Sequence, residues 1–228
     1  MKKQIASLIL AFVMMGSVPQ ISMAAPDNNA ELVSEDGDYF TDIKNHWANT
    51  EINSLASEKI VSGFGETFLP DDKITKAEFA SMICALTGTD AGGGVGFKDV
   101  SKSDWFYDYV KTIINRGYAE AAGDMFNPGG EVTLKDAVSI LYRLCENGKN
   151  DNTVTYGDEV FYSLNITSPL SAWERQAFAY CSKKGMLYKF YGVFSYDVQK
   201  GITRGEAAVL IYRLKNHLGI TAKVNDEA

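Results

Sequence analysis

Apolar positions along the chain fall at helical spacing in short runs, separated by breaks rich in glycine, proline and acids. Trp47, Ile52, Leu55, Ala56 and Ile60 approximate one face of a helix that is expected to end near Ser62 and Gly63. The stretch from Gly63 to Asp72 has the composition of a loop. Beyond it, Phe79, Met82, Ile83 and Leu86 mark a second helix that stops at Gly88. Thr75 opens that helix and Glu78 follows three residues later, which is a capping box. The hydroxyl accepts from a backbone N–H near the acid, and the acid reaches back to the cap's own N–H.

The pattern recurs at a single offset of 58 residues: Trp47, Ile52, Leu55, Gly65, Phe68, Pro70, Thr75 and Glu78 return as Trp105, Val110, Ile113, Gly123, Phe126, Pro128, Thr133 and Asp136. Phe40 and Asp42 are answered by Phe97 and Asp99. A third copy is displaced by 68, with Trp173, Gly185 and Phe194. After two more inserted residues come Thr203, Glu206, Ile211, Tyr212, Arg213 and Leu214. Its opening diverges, and Asn165 to Pro169 reads as an inserted loop. The copies span 39–92, 93–153 and 154–219, with connecting loops at Gly88 to Gly96 and Asn147 to Thr155. A helix pair of this size cannot bury its apolar face alone, so the copies are expected to pack together. The expected fold is all-α: three helix-loop-helix repeats in a pseudo-threefold assembly.

Residues 1–24 have the form of a secretory signal peptide, with Lys2 and Lys3, a short apolar core and Ala24 before the cut. That core falls short of the roughly 20 residues a spanning helix needs, and no later segment is long and apolar enough. No membrane span is expected after its removal. Residues 25–38 read as a polar arm and 220–228 as a short tail. The formal net charge of −7 argues against nucleic acid as a partner, since non-specific binding needs basic surface. Cys84, Cys145 and Cys181 lie in apolar helical patterns and read as buried free thiols. His46 and His217 are too isolated to suggest a metal site, and no cofactor is expected. A glycan-cleaving enzyme would need two carboxylates facing each other across a cleft. Glu78, Asp136 and Glu206 are absorbed by helix caps, so no catalytic residue is assigned.

Arg204 is the first residue of the helix capped by Thr203, where the helix dipole disfavours a cation by up to about 1 kcal/mol. Either it extends into solvent, or it joins the free N–H groups of that helix end in holding a carboxylate or phosphate. Trp47, Trp105 and Trp173 each start a first helix. They are packing residues or, alternatively, platforms whose indole N–H donates to a sugar. The run Tyr188 to Tyr196 is either loop packing or an aromatic sugar-contact surface.

The ordered series of Phe-x-Asp, Trp, a Gly-x-x-Phe-x-Pro loop and Ile-Thr-Arg-x-Glu resembles the S-layer homology family from about Phe40 to Leu218. The resemblance implies non-catalytic attachment to the cell envelope. Grooves between repeats would bind an acidic secondary cell-wall polysaccharide, often through a pyruvate-ketal sugar. The family's arginine contact maps to Lys76 in the first copy, Leu134 in the second and Arg204 in the third, with Lys135 beside Leu134. The ligand set implied is Arg204, Lys76, Trp47, Trp105 and Trp173. The implied location is secreted, at the cell wall or S-layer. The alternative is a structural module of the surface layer, contacting other surface proteins through repeats whose glycan positions have eroded.

Overall fold

The structure, a computed structural model, describes residues 37–90, 92–121, 123–145, 164, 166, 168–187 and 197–220. The leader, most of the polar arm, the loop at 147–155, the tyrosine-rich run at 188–196 and the tail from 221 lie outside the described residues. Those described form α1 (Asn49–Ser57), α2 (Lys76–Thr87), α3 (Tyr107–Asn115), α4 (Leu134–Cys145), α5 (Ala172–Lys183) and α6 (Arg204–Leu218). The fold is all-α, with only isolated β-bridges among these residues.

Local chemistry sets the helix ends. Thr75 with Glu78 and Thr203 with Glu206 make both halves of a capping box. Thr133 and Asp136 exchange the same two bonds at 3.1 and 3.3 Å. A fourth box, Ser171 with Glu174, opens α5. The first helix of each pair ends in a Schellman motif. Lys59, Gly117 and Gly185 take positive φ, and the next residue donates five positions back: Ile60 to Leu55, Tyr118 to Ile113 and Met186 to Cys181. A left-handed lysine stops α1 at Ser57, well before the Ser62–Gly63 end that its apolar pattern suggested.

The helices of one pair do not pack on each other. Instead α2 packs on α3, α4 on α5, and α6 returns to α1, so the last helix closes against the first. Between the helices the chain makes a ring of backbone bonds at the centre of the molecule. Ile74 N donates to Ile202 O, Ile202 N to Val132 O and Val132 N to Ile74 O, at 3.2, 2.9 and 3.1 Å. All three side chains are buried in one apolar core. Six orphan N–H groups at the starts of α2, α4 and α6 find carbonyls in the loop of another pair. Lys76 and Ala77 donate to Gly130 and Pro128, Leu134 and Lys135 to Lys200 and Val198, and Arg204 and Gly205 to Asp72 and Pro70.

The aspartates of the Phe-x-Asp motif hold those loops in shape. Asp42 accepts from Phe68 N and Leu69 N, and Asp99 accepts from Phe126 N and Asn127 N, at 2.7–2.9 Å. In each case the second residue is left-handed, Leu69 at φ 57° and Asn127 at φ 59°. The paired bonds offset the cost of that conformation. Cys84 and Cys181 are buried and Cys145 is partly so, and none of the three is in a disulfide.

Candidate ligand-binding groove

The anion that Arg204 calls for is supplied from within the chain. Its side chain is 2% exposed and lies between the rings of Phe64 and Phe68, 4.8 and 4.7 Å from their centroids. Nη1 donates to Glu78 Oε1 at 2.9 Å, Nε to Phe68 O and Nη2 to Ser62 O, both at 2.8 Å. Burial pulls the guanidinium below the ordinary arginine value, opposed by Glu78, Asp72 and Asp42. Glu78 meanwhile keeps its capping role through the other oxygen, which accepts from Thr75 N and Oγ1. The cation expected to meet an external anion thus has an internal carboxylate as its partner. The helix-end N–H groups of Arg204 and Gly205 are taken by loop carbonyls, and Glu206 N by Thr203 Oγ1. Gly205 also marks how close the seam is, since a Cβ there would lie 2.9 Å from His46 Cε1 and 3.0 Å from Pro70 O. The cavity beside this pair is small, about 270 Å³.

The equivalent position at α2 looks different. Lys76 is half-buried and has no ion pair among the described residues. It lines a cavity of about 480 Å³ bounded by α2, α4, the start of α5 and the turn after α3. Lys135 and Arg143 add two cations to the walls, and Glu120, Asp136 and Glu174 three anions. Lys135 pairs with Glu174 at 3.4 Å, and Arg143 Nη2 with Glu120 Oε1 at 2.5 Å. The Glu174 carboxyl sits below its ordinary value: burial alone would raise it, but bonds from Ser171 and the Lys135 charge outweigh that. Leu134, the third equivalent position, is buried and apolar.

The three tryptophans divide. Trp173 lines the large cavity, stacks under the Arg143 guanidinium at 4.6 Å, and keeps a buried indole Nε1 with no hydrogen-bond partner among the described residues. Such an orphan donor costs free energy until something accepts from it. Trp105 packs edge-on against Phe106 and Tyr109 at 5.4 and 6.2 Å. Trp47 is 57% exposed beside His46, which excludes a core role for it. The geometry therefore brings Lys76 and Trp173 together and leaves Arg204, Trp47 and Trp105 elsewhere. Arg143, Lys135 and Glu120 were not singled out as site residues. The repeat register held the signal for Arg143, because the first copy has Ala85 at that place.

A lysine without an ion pair among the described residues, a tryptophan with an unpartnered indole and a stacked guanidinium around one groove suit an anionic, hydroxyl-rich ligand. Two segments match the S-layer homology domain. They are residues 39–80 and 96–138. The chain is 32% identical over 179 residues to the exoglucanase XynX of Acetivibrio thermocellus, covering 77% of this chain and 16% of that one. It is 31% identical over 189 residues to the amylopullulanase of Thermoanaerobacterium thermosulfurigenes, covering 79% and 10%. With a cellulosome-anchoring protein of Acetivibrio thermocellus it shares 26% over 165 residues, covering 68% and 34%. The chain thus spans at most about a third of the length of these relatives. The S-layer homology segments contain α1, α3 and most of the loops that position α2 and α4. No described helix is long and apolar enough to cross a membrane.

Proposed function

We propose that this chain is a non-catalytic cell-envelope anchor, exported and held at the cell wall by an acidic wall polysaccharide bound in the groove of Lys76, Trp173 and Arg143. The observation that carries the reading is a cavity lined both by Trp173, whose buried indole N–H has no partner among the described residues, and by a lysine with no ion pair among them. A sugar ring packs on the Trp173 side chain, whose buried N–H becomes available to a hydroxyl only if the ring turns toward the cavity, and an acidic substituent such as a pyruvate ketal meets the cations. The matched S-layer homology segments and the similarity to a cellulosome-anchoring protein support attachment as the purpose. Residues 154–219 are read as a third, diverged repeat, and the closed ring of Ile74, Val132 and Ile202 as the axis of a pseudo-threefold assembly. The shared Schellman ends and the α6–α1 contact support that arrangement.

A pull-down of the purified chain on wall material, with and without its polysaccharide, tests the reading. Retention that depends on the polysaccharide and is lost with Trp173→Ala is the expected result. Retention on stripped wall, unchanged by Trp173→Ala, would favour the surface-protein contact role. The internal pairing of Arg204 and the apolar Leu134 lend that second reading its support, since both positions are closed to a sugar acid.

A further inference from the structure

We infer that Glu120 is a built-in competitor of the groove's ligand, occupying the Arg143 guanidinium until an external carboxylate displaces it. The inference rests on the groove being the polysaccharide site proposed above. Arg143 is held firmly: its side chain is 11% exposed, Nη1 reaches the Tyr118 carbonyl at 3.5 Å, and the guanidinium lies over Trp173. Its partner is held loosely, because the Glu120 side chain is 75% exposed in the turn that follows α3. A buried cation paired with a solvent-facing acid can exchange that acid cheaply, since the acid regains full hydration when it leaves. The cation cannot be left bare at similar cost.

The repeat register sharpens the contrast. Glu120 stands where the first copy has Ser62, and there the wall offers Arg204 a backbone carbonyl that cannot swing away. At the first site the arginine is locked by Glu78, a cap residue whose side chain is 10% exposed. At the second, an arginine from the opposite wall is covered by an acid on a flexible stem. Arg143 is therefore a fixed receptor for one carboxylate, and Glu120 sets the threshold an incoming acid must beat. A neutral sugar makes no use of this exchange. The groove gains selectivity for acidic over neutral glycan because only an anion compensates Arg143 for losing Glu120.

The test is calorimetric titration of the purified chain and its Glu120→Gln variant with two probes, a 4,6-pyruvate-ketal methyl hexoside and the methyl ester of the same ketal. Glu120→Gln should bind the free acid about two- to fivefold more tightly, the range of a partly exposed ion pair, and the ester unchanged. Arg143→Lys should weaken binding of the acid. Combined with Glu120→Gln, it should also remove most of the gain that Glu120→Gln gives alone. Binding of the acid that is unchanged or weakened by Glu120→Gln overturns the competitor while leaving the groove intact. Failure of every chain to bind either probe overturns both the groove reading and this inference.

Discussion

Arg204 and Lys76 each open the second helix of a pair; Arg204 meets Glu78 from the cap of another pair, and Lys76 lines one cavity with the cap residue Asp136. The arginine is long and planar enough to reach Glu78, two carbonyls and two phenyl rings at once, so its site closes around it. The lysine fills less space and finds no such partners among the described residues, and its site stays open at about 480 Å³. The change of cation, with Glu120 for Ser62 and Arg143 for Ala85 at equivalent places, accompanies the change from a tightly filled seam to an open one.

The comparison breaks first on stability. Arg204→Ala leaves Glu78 buried beside an empty site and should cost about 3–5 kcal/mol by urea denaturation, whereas Lys76→Ala should stay within about 0.5 kcal/mol. Equal, small losses would mean that the two seams are alike. Next in size are the loop clamps that carry each seam. Asp42→Ala and Asp99→Ala each remove two bonds to an ionised acceptor and should each cost about 1.5–3 kcal/mol. A loss confined to Asp42 would show that the two loops are not equivalent.

Caps give a smaller effect. Thr203→Ala and Thr133→Ala each remove a hydroxyl that accepts from a helix-start N–H at 3.1 Å, and each should lower stability by about 1 kcal/mol. The smallest expected effect is one of pH at the wall of the open groove. The Glu174 carboxyl lies below its ordinary 4.5 when folded. It therefore contributes stability above that value, which is lost as pH falls through the lower folded value. Glu174→Gln should flatten that acid limb by about a few tenths of a kcal/mol, and an unchanged limb would remove Glu174 from the account.

Much of the fold could be read along the chain because it is local chemistry. The boxes at Thr75, Thr133 and Thr203 were visible as spacing, and the offset of 58 aligned the helices of the first two copies. Ser171 and Glu174 carried the same signal, unread because the sequence before Trp173 lacks the Phe-x-Asp opening of the two segments at 39–80 and 96–138. The end of α1 was misplaced because Lys59 takes the left-handed turn that Gly117 and Gly185 make legible elsewhere. The site was harder. Whether a cation at a helix start meets solvent, a ligand or Glu78 depends on a residue 126 positions away, which no local pattern encodes. Trp173 was in the candidate set, but nothing in the sequence distinguished its unpartnered indole from those of Trp47 and Trp105.

The most direct test of the division between the two seams is a ¹H–¹⁵N correlation spectrum of the labelled chain, titrated with purified wall polysaccharide fragments. Trp173 lines the open groove and its buried indole N–H is unpartnered among the described residues, while the Nε–H of Arg204 is bonded to Phe68 O in the closed one. The account predicts a saturable downfield shift of the Trp173 indole signal with the Arg204 Nε–H signal unmoved. A shift at Arg204 with Trp173 unmoved would contradict it.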